Sequence, residues 1–144
     1  MKITNCQENN LEACASLLAK VYAAPEYQEN WNKQDACNYL TRFYNIEPER
    51  CFMAIHEGKV IGGVFAYSYP WHSDTLVYIQ ELFVDPEHRK KGIAKSLLKH
   101  IGNKGKTKVW LVANENTSAA KFYEKLGFKK NGPYKFHYGE VENN

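Results

Sequence analysis

The chain has 144 residues, which nearly excludes two domains, because domains usually contain about 100 to 200 residues. With 44% hydrophobic and 24% charged residues, the composition is typical of a globular protein with a buried core. The four cysteines lack CxxC spacing, and no apolar run approaches the ~20 residues of a membrane span. We expect one domain over residues 1–144, in the cytoplasm, with buried thiols, no metal and no membrane contact.

The net charge of +3 is unevenly distributed along the chain. Residues 1–85 carry a net charge of −5, and residues 86–144 carry +8. This asymmetry indicates that the second part meets an anion and that the first part is suited to a cation. Ordinary solvated lysines on helices and turns remain the alternative. We expect no nucleic-acid partner, because the lysines have no accompanying aromatic platform or reading helix.

The predicted elements begin with two amphipathic helices, at residues 11–23 and from residue 33 or 34 to residue 44. Three strands follow at 51–56, 60–69 and 75–84, the first two joined by a short turn that contains glycine. A helix at 93–101, a strand at 108–113, a helix at 117–126 and strands at 128–131 and 134–141 complete the chain. This order predicts an α/β or α+β fold with one mixed, mostly antiparallel sheet of about six to seven strands and helices on both faces.

The segment ELFVDPEHRKKGIAKSLL, residues 81–98, carries the strongest chemical signal. A strand runs into a basic loop and then into a helix, whose first amides are free donors for a diphosphate. Gly92 allows close approach and Ala94 keeps the wall thin, while Arg89, Lys90, Lys91 and Lys95 add positive charge. Neither GxxxxGK[ST] nor GxGxxG is present, which argues against a P-loop and a dinucleotide fingerprint. Taken alone, the segment could also be a basic turn that caps an amphipathic helix.

Two motifs in the same chain resemble the GNAT superfamily of N-acetyltransferases. Residues 89–94 fit the acetyl-coenzyme A loop [RQ]xxGx[GA], and Val112, Asn116, Ala119 and FYEKLGF at 122–128 fit the downstream signature in the expected order. The resemblance implies acetyl-CoA as cosubstrate and a single domain with a splayed central strand pair. It assigns coenzyme binding to Leu82, Phe83, Val84, Arg89, Lys90, Lys91, Gly92, Ile93, Ala94, Lys95, Asn116, Ala119 and Phe122. For Phe122 a role in the core is the alternative.

Glu81 and Tyr123 are the predicted catalytic residues. The resemblance implies that the hydroxyl of Tyr123 supplies a proton or hydrogen bond to the departing thiolate. Glu81 is expected to accept the proton of the amine, and strand alternation places it on one face with Ile79 and Phe83. Nearby aromatic side chains would raise its pKa. A surface glutamate paired with a lysine, and His72 as a rival base, stay open.

The acceptor is predicted from two aromatic and acidic segments. We assign Glu26, Tyr27, Trp31, Tyr69, Trp71 and His72 to substrate binding, because aromatic faces and carboxylates attract ammonium groups. VYAAPEYQENW and residues 81–98 are similar to the branch of aminoglycoside 6'-N-acetyltransferases, although Pro25-Glu26-Tyr27 replaces the Pro-Pro-Trp often found there. The expected acceptor is a small aminosugar or polyamine-like amine. Protein or peptide amines, a non-catalytic acetyl-CoA-binding regulator and a homodimer stay open.

Overall fold

The computed structural model describes residues 1–143, which form two compact units, Met1–Val112 and the residues from Ala113 onward. The first unit contains a five-stranded sheet, and the second contains one helix, α4, at Ser118–Lys125. Each unit has its own set of internal contacts. That residues 1–144 form one domain stays a prediction.

The sheet of the first unit has its strands in chain order. They are β1 at Lys2–Asn5, β2 at Cys51–His56, β3 at Lys59–Trp71, β4 at Asp74–Val84 and β5 at Lys108–Trp110. All neighbours are antiparallel except β4 and β5, which are parallel. The mixed, mostly antiparallel sheet is confirmed, but the predicted six to seven strands are wrong, since the sheet has five.

The observed strands differ from the predicted strands at both ends of the chain. β1 was not predicted, because its sequence KITN is short and gains its partner only through pairing with residues 52–55 of β2. The predicted strands at 128–131 and 134–141 do not form within the described residues. Their alternating aromatic residues show β-propensity, but the second unit holds no strand to pair with them, and an unpaired strand is not stable. Phe136 and Tyr138 are accordingly exposed.

Helices cover both faces of the sheet, as predicted. Helices α1 at Leu11–Tyr22 and α2 at Lys33–Tyr44 pack on one face, where the core includes Leu18, Leu40 and Phe65. Helix α3 at Ile93–His100 packs on the other face, with Val64 and Leu97 in its core. The apolar residues of each helix recur on one side, so each buries a single stripe. These two faces are called the α1–α2 face and the α3 face below.

A β-bulge changes which side chains of β4 share a face. Phe65 pairs with Glu81 and Ala66 pairs with Ile79, so Gln80 has no partner in β3. The extra residue shifts the alternation. Ile79 therefore belongs to the core of the α3 face, whereas Phe83 belongs to that of the α1–α2 face. The predicted common face of Ile79, Glu81 and Phe83 is wrong at Ile79, because simple alternation cannot anticipate an inserted residue.

Strand β4 separates from β5 after a short pairing. Residues 76–78 of β4 pair with Lys108–Trp110, and in the described part of the chain no strand pairs with residues 79–84 on that side. The main-chain groups of β4 downstream of Tyr78 are thus left on an open edge. This geometry supports the predicted splayed strand pair.

Candidate active site

The carboxylate of Glu81 lies on the α1–α2 face and accepts hydrogen bonds from two tyrosines. The hydroxyl of Tyr22 donates to Oε1 and lies 3.1 Å from Oε2. The hydroxyl of Tyr39 donates to Oε2 at 3.1 Å. Burial and the neighbouring carboxylate raise the pKa of both tyrosines well above the ordinary value, so both stay protonated at neutral pH. Each of the two helices on this face therefore supplies one donor.

The environment of Glu81 suits a general base. Burial raises its pKa to about 7, the hydrogen bonds from Tyr22 and Tyr39 limit this rise, and the charge of Glu29 adds to it. Among the described residues, no lysine or arginine forms an ion pair with Glu81. The alternative of a surface glutamate paired with a lysine therefore finds no support. A carboxylate that is half ionised near neutrality can accept a proton and later release it.

Aromatic residues surround the two tyrosines, and two of the predicted substrate residues are among them. Tyr27 packs edge-on against Tyr22, with ring centroids 4.8 Å apart. Trp31 lies 5.2 Å from Tyr39 and donates from its indole nitrogen to Glu29 at 2.9 Å. Tyr27 and Trp31 thus each contact a tyrosine that is hydrogen-bonded to the Glu81 carboxylate.

The aromatic surface continues along the sheet from Tyr39. The ring of Phe43 contacts Tyr39 at 5.3 Å and Tyr67 at 6.1 Å. Tyr67 also contacts Tyr78 and the predicted substrate residue Tyr69. Tyr69 is therefore connected to the site through Tyr67 and does not contact Glu81. Sequence reasoning missed Tyr22 and Tyr39 as site residues, because Tyr22 fits the apolar stripe of its helix and Tyr39 lies outside the stripe predicted for the second helix.

Trp71 and His72 lie at the tip of the β3–β4 hairpin. The two strands extend to Trp71 and from Asp74, so the predicted loop of residues 70–74 shrinks to a turn of His72 and Ser73. Trp71 contacts Trp110 at 5.7 Å, and both rings remain partly exposed. Because Phe65 is the partner of Glu81, six residues of β3 separate Trp71 from that level, a distance of about 20 Å. The structure does not bring His72 or Trp71 to Glu81.

Glu26 and Arg89, predicted for different ligands, contact each other. The guanidinium of Arg89 donates to Oε1 of Glu26 at 3.3 Å. This ion pair ties the segment between α1 and α2 to the basic loop that precedes α3. A second ion pair lies nearby and joins α1 itself to the residue after β4, since Lys20 pairs with Asp85 at 3.1 Å. Both ion pairs hold the basic loop against the end of α1.

The basic loop ends in an open helix N-terminus. Gly92 is the N-cap of α3, with φ of 76°, and a Cβ built there meets nothing within 4 Å. Only glycine adopts this left-handed conformation without strain. The first amides of a helix, here those of Ile93, Ala94 and Lys95, have no intrahelical acceptor, and Gly92 has no side chain that could cap them. Lys90, also at positive φ, and Lys91 are exposed.

These features fit the diphosphate of acetyl-CoA. The open space at Gly92 admits close approach, the amides and the positive end of the helix dipole favour an anion, and the lysines add charge. The side chains of Leu82, Val84 and Ile93 face the core of the α3 face, and that of Phe83 lies in the opposite core. Phe83 and Ile93 are buried, so their side chains are not available to a ligand and only their main-chain groups are.

The remaining predicted residues belong to the second unit. The backbone N–H of Asn116 donates to the side chain of Asn114, and Thr117, not Asn116, is the N-cap of α4. Tyr123 is mostly buried and packs against Phe122 and Phe128 at 5.3 and 5.4 Å. Ala119 lies in the first turn of α4. Within this unit Tyr123 is a packed aromatic residue, and its role at the thiolate stays a prediction.

Residues 1–143 contain no group of three or more histidine, cysteine, aspartate or glutamate side chains placed to hold a metal ion. They also contain no helix with the length and apolar character needed to cross a membrane.

Comparison with known proteins identifies the family. The model of the Acetyltransferase (GNAT) family matches residues 16–128, so the chain belongs to this family. The family suggested by the motifs at residues 89–94 and 122–128 is thereby confirmed. Membership supports the expected class of enzyme, an acetyl-CoA-dependent acyltransferase.

Among similar proteins, N-acetyltransferase 8 of Homo sapiens is 35% identical over 101 residues, which cover 65% of this chain and 44% of that protein. The chain thus spans less than half the length of this relative. Two solved structures share the fold at 21% identity each. A possible acetyltransferase from Clostridium difficile 630 has a TM-score of 0.76 and covers 99% of this chain and 98% of its own. The aminoglycoside N-acetyltransferase AAC(6')-Iy in complex with CoA has a TM-score of 0.73 and covers 97% and 95%.

Proposed function

We propose that this protein transfers the acetyl group of acetyl-CoA to a primary amine of a small cationic acceptor, an aminosugar or a polyamine-like molecule. Transfer occurs by direct attack, with both substrates bound together. The observation that carries the proposal is the Glu81 carboxylate, which has a pKa raised to about 7 and lies on β4 where that strand leaves β5. A base of this pKa can accept a proton from an ammonium group near neutral pH.

The basic loop supplies the coenzyme site in this proposal. The amides at the start of α3 and the side chains of Lys90, Lys91 and Lys95 bind the diphosphate. The free edge of β4 beyond Tyr78 offers main-chain groups to the arm that carries the acetyl group. An N–H on that edge can polarise the thioester carbonyl as the amine attacks.

Groups of this chain account for the protons that move during acetyl transfer. The amine nitrogen forms a bond to the acetyl carbon, and the carbon–sulfur bond breaks to release the thiolate. Glu81 accepts the proton that the amine loses. Tyr123 is proposed to donate a proton or a hydrogen bond to the leaving sulfur, a role that rests on its match to the family pattern.

The acceptor class rests on charge and aromatic surface around Glu81. Glu29 and Glu81 are both anionic when ionised, and Trp31 and Tyr39 present rings beside them. Such groups attract a desolvated ammonium by Coulomb and cation–π interactions. The net charge of −5 over residues 1–85 acts in the same direction. The fold shared with an aminoglycoside N-acetyltransferase is compatible with this class of acceptor.

A turnover screen tests the proposed function. Release of free coenzyme A from acetyl-CoA is followed with aminosugars, polyamines, free amino acids and peptides with a free N-terminus. We expect turnover with aminosugars or polyamines, faster than with amino acids. Turnover with peptides alone would replace the proposed acceptor by a protein or peptide amine. Binding of acetyl-CoA without turnover on any amine would instead indicate a non-catalytic coenzyme-binding regulator.

A further inference from the structure

The bulge in β4 places two consecutive side chains on the α1–α2 face. The amide nitrogen of Gln80 donates to the hydroxyl of Tyr39 at 2.9 Å, and Glu81 accepts from the same hydroxyl at 3.1 Å. In a regular strand these two residues would point to opposite faces. Alternation from Ile79 already places Gln80 on this face, and the bulge brings the next residue, Glu81, to the same face, so both side chains reach Tyr39. Gln80 has no part in the predicted chemistry and is not explained by it.

The hydrogen-bond capacity of each group fixes the direction of the donors. A phenol has one proton to donate, and the amide nitrogen of Gln80 can only donate. Tyr39 therefore accepts from Gln80 and directs its single proton to Oε2 of Glu81. If the amide oxygen faced Tyr39 instead, it would take that proton, and two lone pairs would face each other across the 3.1 Å contact with ionised Glu81.

Tyr22 offers an internal contrast. Within residues 1–143 its hydroxyl is hydrogen-bonded to the two oxygens of Glu81 alone. No neighbour constrains the direction of its proton, so this hydroxyl is free to turn when Glu81 becomes protonated. The hydroxyl of Tyr39 is not free in this way, because it would have to break its bond with Gln80.

We propose that Gln80 is a positioning residue, which locks the hydroxyl of Tyr39 as a donor to Glu81 and so keeps the carboxylate ready to accept the proton of the amine. This inference rests on the proposed function of Glu81 as base. The titratable groups that face Glu81 are Tyr22 from α1, Tyr39 from α2, Glu29 from the segment between these helices and Tyr78 from β4. Of these, only Tyr39 is bonded to Gln80.

The test measures proton binding by Glu81 in the full chain, without substrate. Carboxyl carbons of glutamate are labelled with ¹³C and titrated by NMR, and the Glu81→Gln variant identifies the resonance. Gln80→Met keeps the length of the side chain and removes its polar atoms. With the lock gone, Tyr39 shares its proton with water, and we expect Glu81 to bind its own proton roughly threefold more tightly. The pH midpoint of turnover should move upward by about 0.5 pH unit, which corresponds to the same threefold change in proton affinity.

The same change in two other backgrounds separates positioning from general disturbance. In Tyr39→Phe, Gln80→Met should have no further effect, because no hydroxyl remains to be locked. In Tyr22→Phe, its effect should persist. An unchanged midpoint in the single variant, or an equal shift with and without the Tyr39 hydroxyl, would overturn the proposal.

A second variant covers the case in which Gln80→Met does not fold. Gln80→Glu lets Tyr39 donate to the new carboxylate and adds a negative charge, so Glu81 should bind its proton about tenfold more tightly. Only the charge contribution should remain with Tyr39→Phe, and an equal increase in that background would contradict the proposal. Because NMR titration needs no acceptor, it distinguishes failure of this inference from absence of turnover, which would contradict the proposed function.

Discussion

The site around Glu81, called the Glu81 pocket below, and the basic loop before α3 are proposed to recognise opposite charges, and they are built by different physical means. The pocket is assembled from side chains distant in sequence, with Tyr22 and Tyr39 brought to Glu81 by two helices. The loop is assembled from neighbouring residues, in which one left-handed glycine exposes the amides of the next turn. A side-chain substitution can therefore remove the function of the pocket, whereas the loop depends mainly on backbone conformation.

The two regions also differ in how far their charged side chains are exposed to solvent. Burial disfavours the charge of Glu81, and this is the main cause of its raised pKa. In the basic loop and the first turn of α3, the side chains of Lys90, Lys91 and Lys95 are exposed to solvent. The pocket is thus suited to exchange a proton and the loop to hold a permanent anion. The following predictions test this division.

The largest effect is expected from Glu81→Gln. Loss of a general base typically costs about 10²- to 10⁴-fold in rate, so turnover should fall by that factor. Affinity for acetyl-CoA, measured by calorimetry, should stay the same, because the loop is intact. Full turnover in this variant would show that Glu81 is not the base, and a parallel loss of coenzyme affinity would show that the two regions are not independent.

Gly92→Glu should affect the loop and leave the pocket unchanged. The new side chain brings bulk and negative charge to the open space before α3, and its backbone is strained at positive φ. We expect acetyl-CoA affinity to fall by at least about 100-fold. The titration of Glu81 should not change.

Gly105→Glu is the matched control for this variant. Gly105 has a similar φ of 83° and the same open space, but it lies between α3 and β5, at the other end of that helix. It should lose comparable stability and keep its coenzyme affinity. Equal losses of affinity in both variants would mean that strain, and not the anion site, explains the effect of Gly92→Glu.

Stability should depend on pH through Glu81. Its folded pKa of about 7 lies above the ordinary glutamate pKa of 4.5, so the folded state binds the proton more tightly than the unfolded state. The resulting stabilisation is present below about pH 4.5 and is lost as the pH rises through 7. Relative to Glu81→Gln, the wild type should lose roughly 2 to 3 kcal/mol of unfolding free energy between pH 4.5 and 8. Urea unfolding at several pH values measures this difference. Parallel curves for the two proteins would contradict the raised pKa.

The loop was predictable from the sequence because its determinants are consecutive. The sequence RKKGIA specified the glycine, the basic side chains and the start of the helix, and Gly92 is indeed the N-cap of α3. The pocket was predictable only in part. Glu81 could be chosen from its strand and its neighbours, but Tyr22 and Tyr39 depend on how two helices pack, and the bulge at Gln80 depends on pairing with β3.

The same limit explains the errors in the sheet. Helix periodicity is a local signal, and all four helices form within two residues of the predicted bounds. Strand formation needs a second strand to pair with, and the local sequence pattern does not show whether one is present. The aromatic alternation of residues 134–141 predicted a strand that is absent, while the short β1 forms because β2 offers an edge.

The smallest predicted effect concerns Trp31 and Trp71, which were both predicted from the sequence to bind the substrate. Trp31 lies against Tyr39, next to the pocket, whereas Trp71 lies at the tip of the hairpin, about 20 Å along β3. Cation–π contacts contribute about 0.5 to 2 kcal/mol, so Trp31→Ala should raise the KM for a cationic acceptor by about 2- to 30-fold. Trp71→Ala should change it by less than about twofold, because its ring does not reach that level of the sheet. A larger effect at Trp71 would move the acceptor site away from Glu81 towards the hairpin tip, where His72 would become the nearer base.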